Sequence, residues 1–335
     1  MQEKICFRAQ SSLIAISVGG TFGHINPALH LASAAKENCF LIGIGLKDSP
    51  FLKDAEVETI SLDGARKVWQ LLKSCWQAFF LFQRKNPKIV VCFGSFHSFP
   101  ATIVGLLLGK AIWVFEPNAK MGKVNRFFAF FAHKILCYDE KLVAKYPHRG
   151  VLIAPSLKKK NREESLQFFQ LQGKKPVLLV IGGSSGAASL NQWIEKHLEE
   201  CKKYELIHLI GPAFDKEKVK TLYQQAGVEA FVDTFITNAD QAMMIADVAI
   251  SRGGASTLSE LNFYQVPTVI VPFEGAYQHQ LENGKRFLES GGIGKIVRES
   301  VKEEIFPVLE TLLGQKGEIR EFLKGDAWST IISSV

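Results

Sequence analysis

The sequence has 335 residues, of which 47% are hydrophobic and 22% are charged, a composition typical of a globular protein with a well-formed core. The length predicts two domains of about 160 residues each. The six cysteines are scattered without a Cys-x-x-Cys pair, which argues against a disulfide framework or a cysteine metal site. We expect no secretory signal, because charged residues precede the first apolar run and no convincing cleavage site follows it.

Positive charge is concentrated in the first part of the chain. Residues 1–150 contain 19 Lys and Arg against 10 Asp and Glu, whereas the remainder contains 21 against 23. No acidic residue lies between Asp63 and Glu116, and within this interval residues 66–88 mix large aromatic side chains with lysine and arginine. Such a segment is typical of a helix that lies on anionic lipid. Two alternatives stay open: a helix with one core face and one solvated basic face, and a nucleic-acid patch, although no nucleic-acid-binding motif accompanies it.

Two segments without charged residues, 9–35 and 89–109, have the apolar character of a membrane span. Glycine, proline, histidine and serine interrupt both of them where a turn belongs. A strand, a loop and a buried helix therefore explain each segment better than a transmembrane helix does.

The first of these segments begins an α/β pattern. Residues 13–18 predict a strand, the loop GGTFGH follows at residues 19–24, and Pro27 is expected to open a helix. A strand, a glycine loop and a helix form a phosphate-binding arrangement. It is not a dinucleotide fingerprint, because G-x-G-x-x-G would need glycine at Val18, and no Walker A sequence occurs. His24 could act as a general base facing a cleft, or it could cap or pack against the helix.

The chain then repeats this alternation. The predicted elements of the first half are strands at residues 89–93, 111–115, 135–137 and 151–153 and a helix at 101–108. The polar, proline-bounded stretch 155–176 is the best linker candidate. In the second half, strands are predicted at 177–181, 206–210 and 230–232, with the loop GGSSGA at 182–187 and a helix from about Ser189. The echo of the first loop predicts two similar α/β domains that face one another.

Residues 251–280 predict two consecutive strand–loop–helix units. Ser256 or Thr257 is expected to cap the first helix, and the second helix is expected to begin near Tyr277. In a parallel sheet both loops emerge at one edge, which predicts that a set of polar and glycine residues are neighbours. That set consists of Gly253, Gly254, Glu260, His279 and Gln280. Backbone amides for a diphosphate, a carboxylate for hydroxyl groups and a His-Gln pair suit a nucleotide sugar. The plainer alternative is a βαβ unit with a tight glycine turn and a surface glutamate.

These motifs together resemble the MurG family, the N-acetylglucosaminyltransferases that make lipid II. The residues that carry the resemblance are GGTFGH from Gly19, GGSSGA from Gly182 with Asn191-Gln192, and SRGGASTLSEL followed by His279, Gln280 and Asn283. The resemblance implies the GT-B fold, α/β, with two Rossmann-like doubly wound parallel-sheet domains separated by a cleft. It also implies inverting transfer of N-acetylglucosamine from UDP-N-acetylglucosamine to the muramoyl C4 hydroxyl of lipid I. The expected domains are an acceptor and membrane-associating domain at 1–156 and a UDP-sugar-binding domain at 157–316, with 317–335 as a helix returning to the first domain.

The resemblance also implies roles for individual residues. His24 would be the catalytic base. The donor-binding residues would be Thr21, Gly183, Ser184, Ile236, Arg252, Ala255, Ser256, Glu260, His279 and Gln280. The acceptor-binding residues would be Gly20, Gly23, Glu116, Asn118 and Lys158. Among the donor set, Glu260 would hold the ribose hydroxyls, Ile236 would sit by the uracil and Arg252 would flank the uridine site. No metal site is expected, because no Asp-x-Asp sequence occurs to clamp a catalytic metal. The resemblance implies no tightly bound cofactor, with UDP-N-acetylglucosamine as the donor substrate.

The departures from the family pattern lie mostly on the acceptor side. Phe22, Ser95 and Phe99 stand where the family prefers glycine, and an expected Asn-Pro-x-Arg is replaced by Ala-Pro-Ser-Leu, with Lys158 as a substitute for its arginine. We therefore predict the same donor with a relaxed or modified lipid acceptor. Two alternatives remain: a GT-B enzyme with another lipid acceptor, and a catalytically weak UDP-sugar-binding protein.

The implied location is the cytoplasmic face of the bacterial inner membrane, with peripheral attachment. The implied partners are the undecaprenyl-diphosphate-linked acceptor and the anionic membrane surface, with room for contacts to other cell-wall synthesis proteins and with no nucleic acid.

Overall fold

The computed structural model describes residues 12–333, with gaps at residues 20–21, 54, 65–66, 154–156, 158–159, 184–185, 237, 274, 276 and 321–327. The chain forms two units. The first contains the described residues of Met1–Glu116, Met121–Ala154 and Gly325–Val335, and the second contains those of Pro117–Lys120 and Pro155–Lys324.

The first unit is built on one parallel sheet. In chain order its strands are β1 (Ile14–Ser17), β2 (Cys39–Ile44), β3 (Thr59–Leu62), β4 (Ile89–Cys92), β5 (Ala111–Glu116), β6 (Lys134–Cys137) and β7 (Gly150–Leu152). They lie in the order β3-β2-β1-β4-β5-β6-β7. Its helices are α1 (Phe22–Ala35), α2 (Val68–Lys85), α3 (Ser95–Leu107), α4 (Lys123–Phe128), α5 (Glu140–Ala144) and the C-terminal helix Trp328–Ser333, with 3-10 helices at Lys36–Asn38 and Pro50–Leu52.

Each face of this sheet has its own apolar core. Ile14 and Ile16 of β1 point to the face covered by α1 and the C-terminal helix, whereas Ala15 points to the face covered by α2, α3 and α4. Strands covered on both faces need apolar residues at nearly every position, which is why β1 and β4 read as continuous hydrophobic runs. Trp328 is 2% exposed and its ring lies 5.4 Å from that of Phe115. The C-terminal helix is therefore part of the first core.

The second unit repeats the design with six parallel strands. They are β8 (Val177–Ile181), β9 (Glu205–Leu209), β10 (Ala230–Asp233), β11 (Val248–Ser251), β12 (Thr268–Ile270) and β13 (Gly294–Ile296), in the order β10-β9-β8-β11-β12-β13. Its helices are α6 (Arg162–Phe168), α7 (Ala188–Glu195), α8 (Leu198–Cys201), α9 (Lys216–Ala226), α10 (Ala239–Ile245), α11 (Ala255–Phe263), α12 (Tyr277–Glu289) and α13 (Ile305–Leu312), with a 3-10 helix at Glu299–Glu304. The C-terminal helix Trp328–Ser333 is α14. The predicted fold class, α/β with two doubly wound parallel sheets, is confirmed.

The strand order reverses at one point in each sheet. β1 lies between β2 and β4, and β8 lies between β9 and β11. Open α/β sheets bind ligands outside the carboxyl ends of the strands at such a point. The candidate sites are therefore the loops after β1 and β4 in the first unit and after β8 and β11 in the second. The glycine motifs of the sequence begin in these loops, at Gly19, Gly182 and Gly253.

Two helices begin earlier than the sequence predicts. Pro27 was expected to open α1 and residue 101 to begin α3, but the helices start at Phe22 and Ser95, with Pro27 and Pro100 inside them. A proline inside a helix removes the one hydrogen bond that its N–H would donate to the carbonyl four residues earlier. The consequence is functional, because His24 belongs to the first turn of α1 and not to a loop.

The linker predicted at residues 155–176 contains helix α6. The Asn161 side chain caps this helix by accepting hydrogen bonds from the amides of Glu163 at 2.8 Å and Glu164 at 3.3 Å. The capping residue and the two acidic residues of the first turn were a helix signal, which the high polarity of the segment obscured.

The charge-free segment 89–109 forms β4 and α3, and the described part of segment 9–35 forms β1 and α1, as predicted. Among the described residues, no helix is both long and apolar enough to cross a bilayer.

Candidate functional site

The loop after β8 is shaped by its glycines. Gly183 and Gly186 have φ angles of +82° and +76°, which favour glycine. A Cβ on Gly182 would lie 2.5 Å from the Cβ of Ala187, so the turn can close only without a side chain there. A Cβ on Gly183 would meet nothing within 4 Å, which leaves the backbone open to a ligand. Ser184, expected at the diphosphate, lies outside the described residues.

The loop after β11 leads directly into helix α11. The helix begins at Ala255 with Gly254 as N-cap, and no side chain caps it. The expectation that Ser256 or Thr257 caps this helix is therefore wrong, since both lie within the helix. Ala255 and Ser256 are half-buried in its first turn. Amides that no side chain caps can bind an anion, which is the chemistry predicted for this turn.

Helix α12 holds the same turn through two amide side chains. The Oε1 of Gln280 accepts hydrogen bonds from Gly253 N at 3.2 Å and from Phe273 N at 2.8 Å. Asn283 Nδ2 donates to the carbonyl of Gly253 at 2.9 Å and to Asn118 Oδ1 at 3.2 Å. The predicted proximity of Gly253 and Gln280 is confirmed. The Oε1 of Gln280 positions the loop backbone, while the expected contact with phosphate or sugar stays a prediction.

Two further expected site residues, His279 and Asn118, lie on helix α12 and against it. His279, on the same helix, is exposed. Asn118 was expected on the acceptor side, but it belongs to the second unit, where it contacts Asn283. Asn283 also accepts a hydrogen bond from Ala119 N at 3.0 Å, so this short segment is fixed by α12.

The Arg252 guanidinium is buried and donates three hydrogen bonds within the protein. Its side chain is 5% exposed, and Nη1 donates to the Val271 carbonyl at 3.0 Å. Nη2 donates to Ser189 Oγ and to Glu299 Oε1, both at 2.8 Å. Burial alone would raise the pKa of Glu299, but the hydrogen bonds from Arg252 and Ser189 and the arginine charge outweigh it and lower that pKa. Arg252 was expected beside uridine, yet its charge is already neutralised inside the protein.

Glu260 lies in α11 and is half-buried. Burial, reinforced by the charge of Asp240, raises the pKa of Glu260 to about 8. Among the described residues no side chain or amide donates a hydrogen bond to its carboxyl group, whereas Asp240 forms an ion pair with Lys160 at 3.1 Å. A carboxyl group that lacks partners in a desolvated position suits a ligand that supplies hydroxyl donors. Ile236, expected at the uracil, packs half-buried against the apolar core on one face of the sheet.

Asn191 follows the β8 loop and has a structural role. It is 1% exposed, its Nδ2 donates to the Ile210 carbonyl at 2.7 Å, and its Oδ1 lies 3.1 Å from His208 Nε2. Burial lowers the pKa of His208 to about 3, so the ring is neutral and bonds to Tyr223 through Nδ1. This network fixes the helix behind the glycine loop.

In the first unit, His24 stands in the first turn of α1. Its Nδ1 is buried and has no hydrogen-bond partner among the described residues. Burial lowers the pKa of His24, and the charge of Glu116 and a hydrogen bond with the Phe93 backbone oppose the shift only in part. The ring is therefore neutral at neutral pH, the state that a general base requires. Gly23 lies beside it and is half-buried, and the expected ligands Gly20, Thr21 and Lys158 lie outside the described residues.

Glu116 ends strand β5 and is 2% exposed. Its Oε2 accepts hydrogen bonds from Gly122 N at 2.9 Å and from Asn125 Nδ2 at 3.0 Å. Asn125 Nδ2 also donates to the Phe115 carbonyl at 2.8 Å. The carboxylate is thus held inside the first unit, close enough for its charge to act on His24.

The loop after β4 carries one of the departures from the family pattern. Ser95, where glycine was expected, has a φ of +64°, a conformation that costs an L-residue about 1 kcal/mol. Its Oγ lies 3.3 Å from the Gly19 carbonyl and 3.4 Å from His97 Nδ1. The loops after β1 and β4 are therefore in contact.

The sequence alone does not indicate the roles of several residues of these sites. They are Ser189, Asp240, Asn125 and Glu299. Glu299 lies 47 residues from its partner Arg252, and no local sequence pattern predicts this ion pair. Asn283 was visible in the HQ-x-x-N motif, although its bonds to the loop were not.

Comparison with known proteins agrees with this architecture. Residues 14–137 match the glycosyltransferase family 28 N-terminal domain and residues 177–319 match the C-terminal domain of that family. A UDP-N-acetylglucosamine–N-acetylmuramyl-(pentapeptide) pyrophosphoryl-undecaprenol N-acetylglucosamine transferase from Polaromonas naphthalenivorans is 32% identical over 327 residues, covering 90% of this chain and 89% of that protein. The Chlamydia trachomatis serovar D protein of the same name is 30% identical over 326 residues, covering 89% and 90%.

Solved structures show the same fold. The crystal structure of Acinetobacter baumannii MurG has a TM-score of 0.72 at 24% identity and covers 96% of this chain and 98% of its own. The calicheamicin glycosyltransferase CalG4 has a TM-score of 0.66 at 12% identity, with 90% and 89% covered. The chain has two parallel sheets with glycine loops at both reversals of strand order. Family 28 domains match both halves, and relatives match about nine tenths of the chain. This chain belongs to the MurG family of glycosyltransferases and has the GT-B fold.

Proposed function

We propose that this chain transfers N-acetylglucosamine from UDP-N-acetylglucosamine to the C4 hydroxyl of the muramoyl sugar of lipid I, with inversion, forming lipid II. The observation that carries this proposal is the reversal point of the second sheet. The open glycine loop after β8 and the uncapped start of α11 lie there, and Glu260 follows within α11 with a carboxyl group that lacks partners among the described residues. Relatives named for this reaction support the choice of both substrates.

On the donor side, each part of UDP has a group that suits it. The amides at the start of α11 and around Gly183 offer hydrogen bonds and the positive end of a helix dipole to the diphosphate. Glu260, when ionised, accepts hydrogen bonds from the ribose hydroxyls. Ile236 offers an apolar contact to the uracil. The charge of Arg252 is already paired with Glu299, so the backbone amides are the groups proposed to bind the diphosphate.

The proposed reaction is a single displacement. The C4 oxygen of the acceptor attacks C1 of N-acetylglucosamine as the bond from C1 to the phosphate oxygen breaks, which inverts the configuration. His24 accepts the hydroxyl proton, and UDP leaves with the electron pair of the broken bond. The lowered pKa of His24 keeps the base free at neutral pH. The backbone amides stabilise the charge that develops on UDP.

The acceptor side supports peripheral binding to anionic lipid through helix α2. Trp69 and Trp76 are 82% and 65% exposed, and Val68, Leu72 and Phe80 continue the apolar surface. The helix also has a core face, formed by buried side chains including Phe82, as the alternative of a helix with one core face predicts. Large aromatic rings with lysine and arginine around them are typical of interfacial helices.

This lipid contact is tested with vesicles of neutral lipid alone and with added anionic lipid. We expect binding that needs the anionic lipid, weakens with salt and falls in the Trp69→Ala/Trp76→Ala variant. The matched control is Phe168→Ala, which removes an aromatic side chain that is 46% exposed in the second unit. Equal binding by both variants would exclude α2 as the contact surface.

The reaction itself is tested by transfer of radiolabelled N-acetylglucosamine to lipid I. Wild type should form lipid II, and Glu260→Ala should lose most of the activity at limiting donor. A panel of other lipid acceptors tests the predicted change on the acceptor side, where Ser95 replaces glycine. Protein that binds the donor and never glycosylates lipid I would refute the assigned acceptor, and transfer to another lipid of the panel would identify the alternative.

A further inference from the structure

The buried ion pair of the second unit joins four chain segments. Arg252 immediately precedes the Gly253-Gly254 turn, and its hydrogen-bond partners come from three other elements. Ser189 is in the first turn of α7, directly after the β8 glycine loop, and Val271 follows β12. Glu299 begins the 3-10 helix after β13. The Arg252 side chain therefore connects the loop after β11 with the start of α7, which follows the β8 loop on the other side of the reversal of strand order.

Glu299 holds this arrangement together. Its Oε1 accepts a hydrogen bond from Arg252 Nη2 and another from Ser189 Oγ, and its side chain is only 11% exposed. The ring of Phe273 lies 5.5 Å from the Arg252 guanidinium and covers it on one side. Without the carboxylate, a guanidinium that is 5% exposed would keep its charge in a desolvated position with no anion beside it. The arginine would then have to move, and the glycine turn attached to it would move as well.

We propose that Glu299, with Ser189, is a positioning residue for donor binding, which acts through Arg252 on the glycine turn at the start of helix α11. This proposal rests on the donor site of the proposed function. Glu299 itself does not touch the donor. Its role is to hold the amides of the turn where a diphosphate can reach them, so its loss weakens donor binding and leaves the chemical step unchanged.

The test compares the wild-type chain with Glu299→Gln, which keeps the shape of the side chain and removes its charge. Glu303→Gln is the matched control, because Glu303 lies exposed on the same 3-10 helix. Calorimetric titration with UDP measures affinity, and steady-state transfer measures KM for UDP-N-acetylglucosamine and kcat. For Glu299→Gln we expect both the dissociation constant of UDP and the KM to rise about tenfold, with kcat within about twofold of wild type.

A second variant guards against simple misfolding. Ser189→Ala keeps both charges and removes the hydroxyl that bridges them, so it should weaken UDP binding by a smaller factor, and thermal unfolding shows that the variant is folded at the assay temperature. Wild-type affinity in both variants would overturn the proposal, as would a fall in kcat at unchanged KM, which is the signature of a smaller folded fraction. Tighter UDP binding by Glu299→Gln would also overturn it, since a freed arginine would then be binding phosphate. If the wild type itself gave no heat with UDP, the donor site of the proposed function would fail, and this inference with it.

Discussion

Donor affinity should rise with pH, and the rise should depend on Glu260. Burial and the charge of Asp240 raise the pKa of Glu260 to about 8. The ionised fraction of this group is then roughly one tenth at pH 7 and roughly three quarters at pH 8.5. A carboxylate accepts hydrogen bonds from two ribose hydroxyls, whereas the protonated form is a poorer acceptor. If binding requires the ionised form, the dissociation constant of UDP-N-acetylglucosamine falls roughly eightfold over this interval.

The sign of the proton exchange provides a second readout. Because the bound donor stabilises the carboxylate, its pKa falls on binding and a proton is released at neutral pH. Calorimetry in buffers of different ionisation enthalpy measures that proton directly. Glu260→Gln should bind weakly with little dependence on pH, and Asp240→Asn should shift the rise to lower pH by removing a neighbouring negative charge. Glu217→Gln, an exposed change on α9, is the control. Affinity that is flat with pH in wild type, or a rise that survives in Glu260→Gln, would refute this assignment.

Three further outcomes are expected. His24→Gln should lower kcat by about 10²- to 10⁴-fold and leave UDP affinity unchanged, and the acid limb of wild-type kcat/KM should lie below the ordinary pKa of histidine; an unchanged kcat would remove His24 as the base. Trp328→Ala should lower the free energy of unfolding by about 3–5 kcal/mol in urea titrations, against less than about 0.5 kcal/mol for exposed Trp69→Ala; equal effects would show that α14 is not part of the core. Gly253→Ala should weaken UDP binding in calorimetry, because its Cβ would lie 2.3 Å from the Gln280 carbonyl oxygen; wild-type affinity would show that the turn tolerates the shift.

Short-range sequence patterns predict much of the fold. β8 was predicted at the bounds it has, Val177–Ile181, because a strand covered on both faces is apolar at nearly every position. The glycine loops were equally visible, since a turn that needs positive φ or close packing selects glycine within a few residues. The first residues of the helices were harder to predict from the sequence. Pro27 predicts the first residue of α1, but it lies inside the helix. An internal proline costs one backbone hydrogen bond, and packing of the whole helix offsets that cost.

The sequence predicted which residues form the candidate site, whereas the tertiary structure determines their charge states and hydrogen-bond partners. The sequence placed Gly253 beside Gln280, because two loops of a parallel sheet leave at the same edge. It could not show that Arg252 is neutralised by Glu299, 47 residues away, or that Asn118 packs on α12. Nor could it show that Glu260 is desolvated. Residue type and spacing fix which chemistry a loop offers, whereas charge state depends on burial and on partners that only the folded chain brings within a few ångströms.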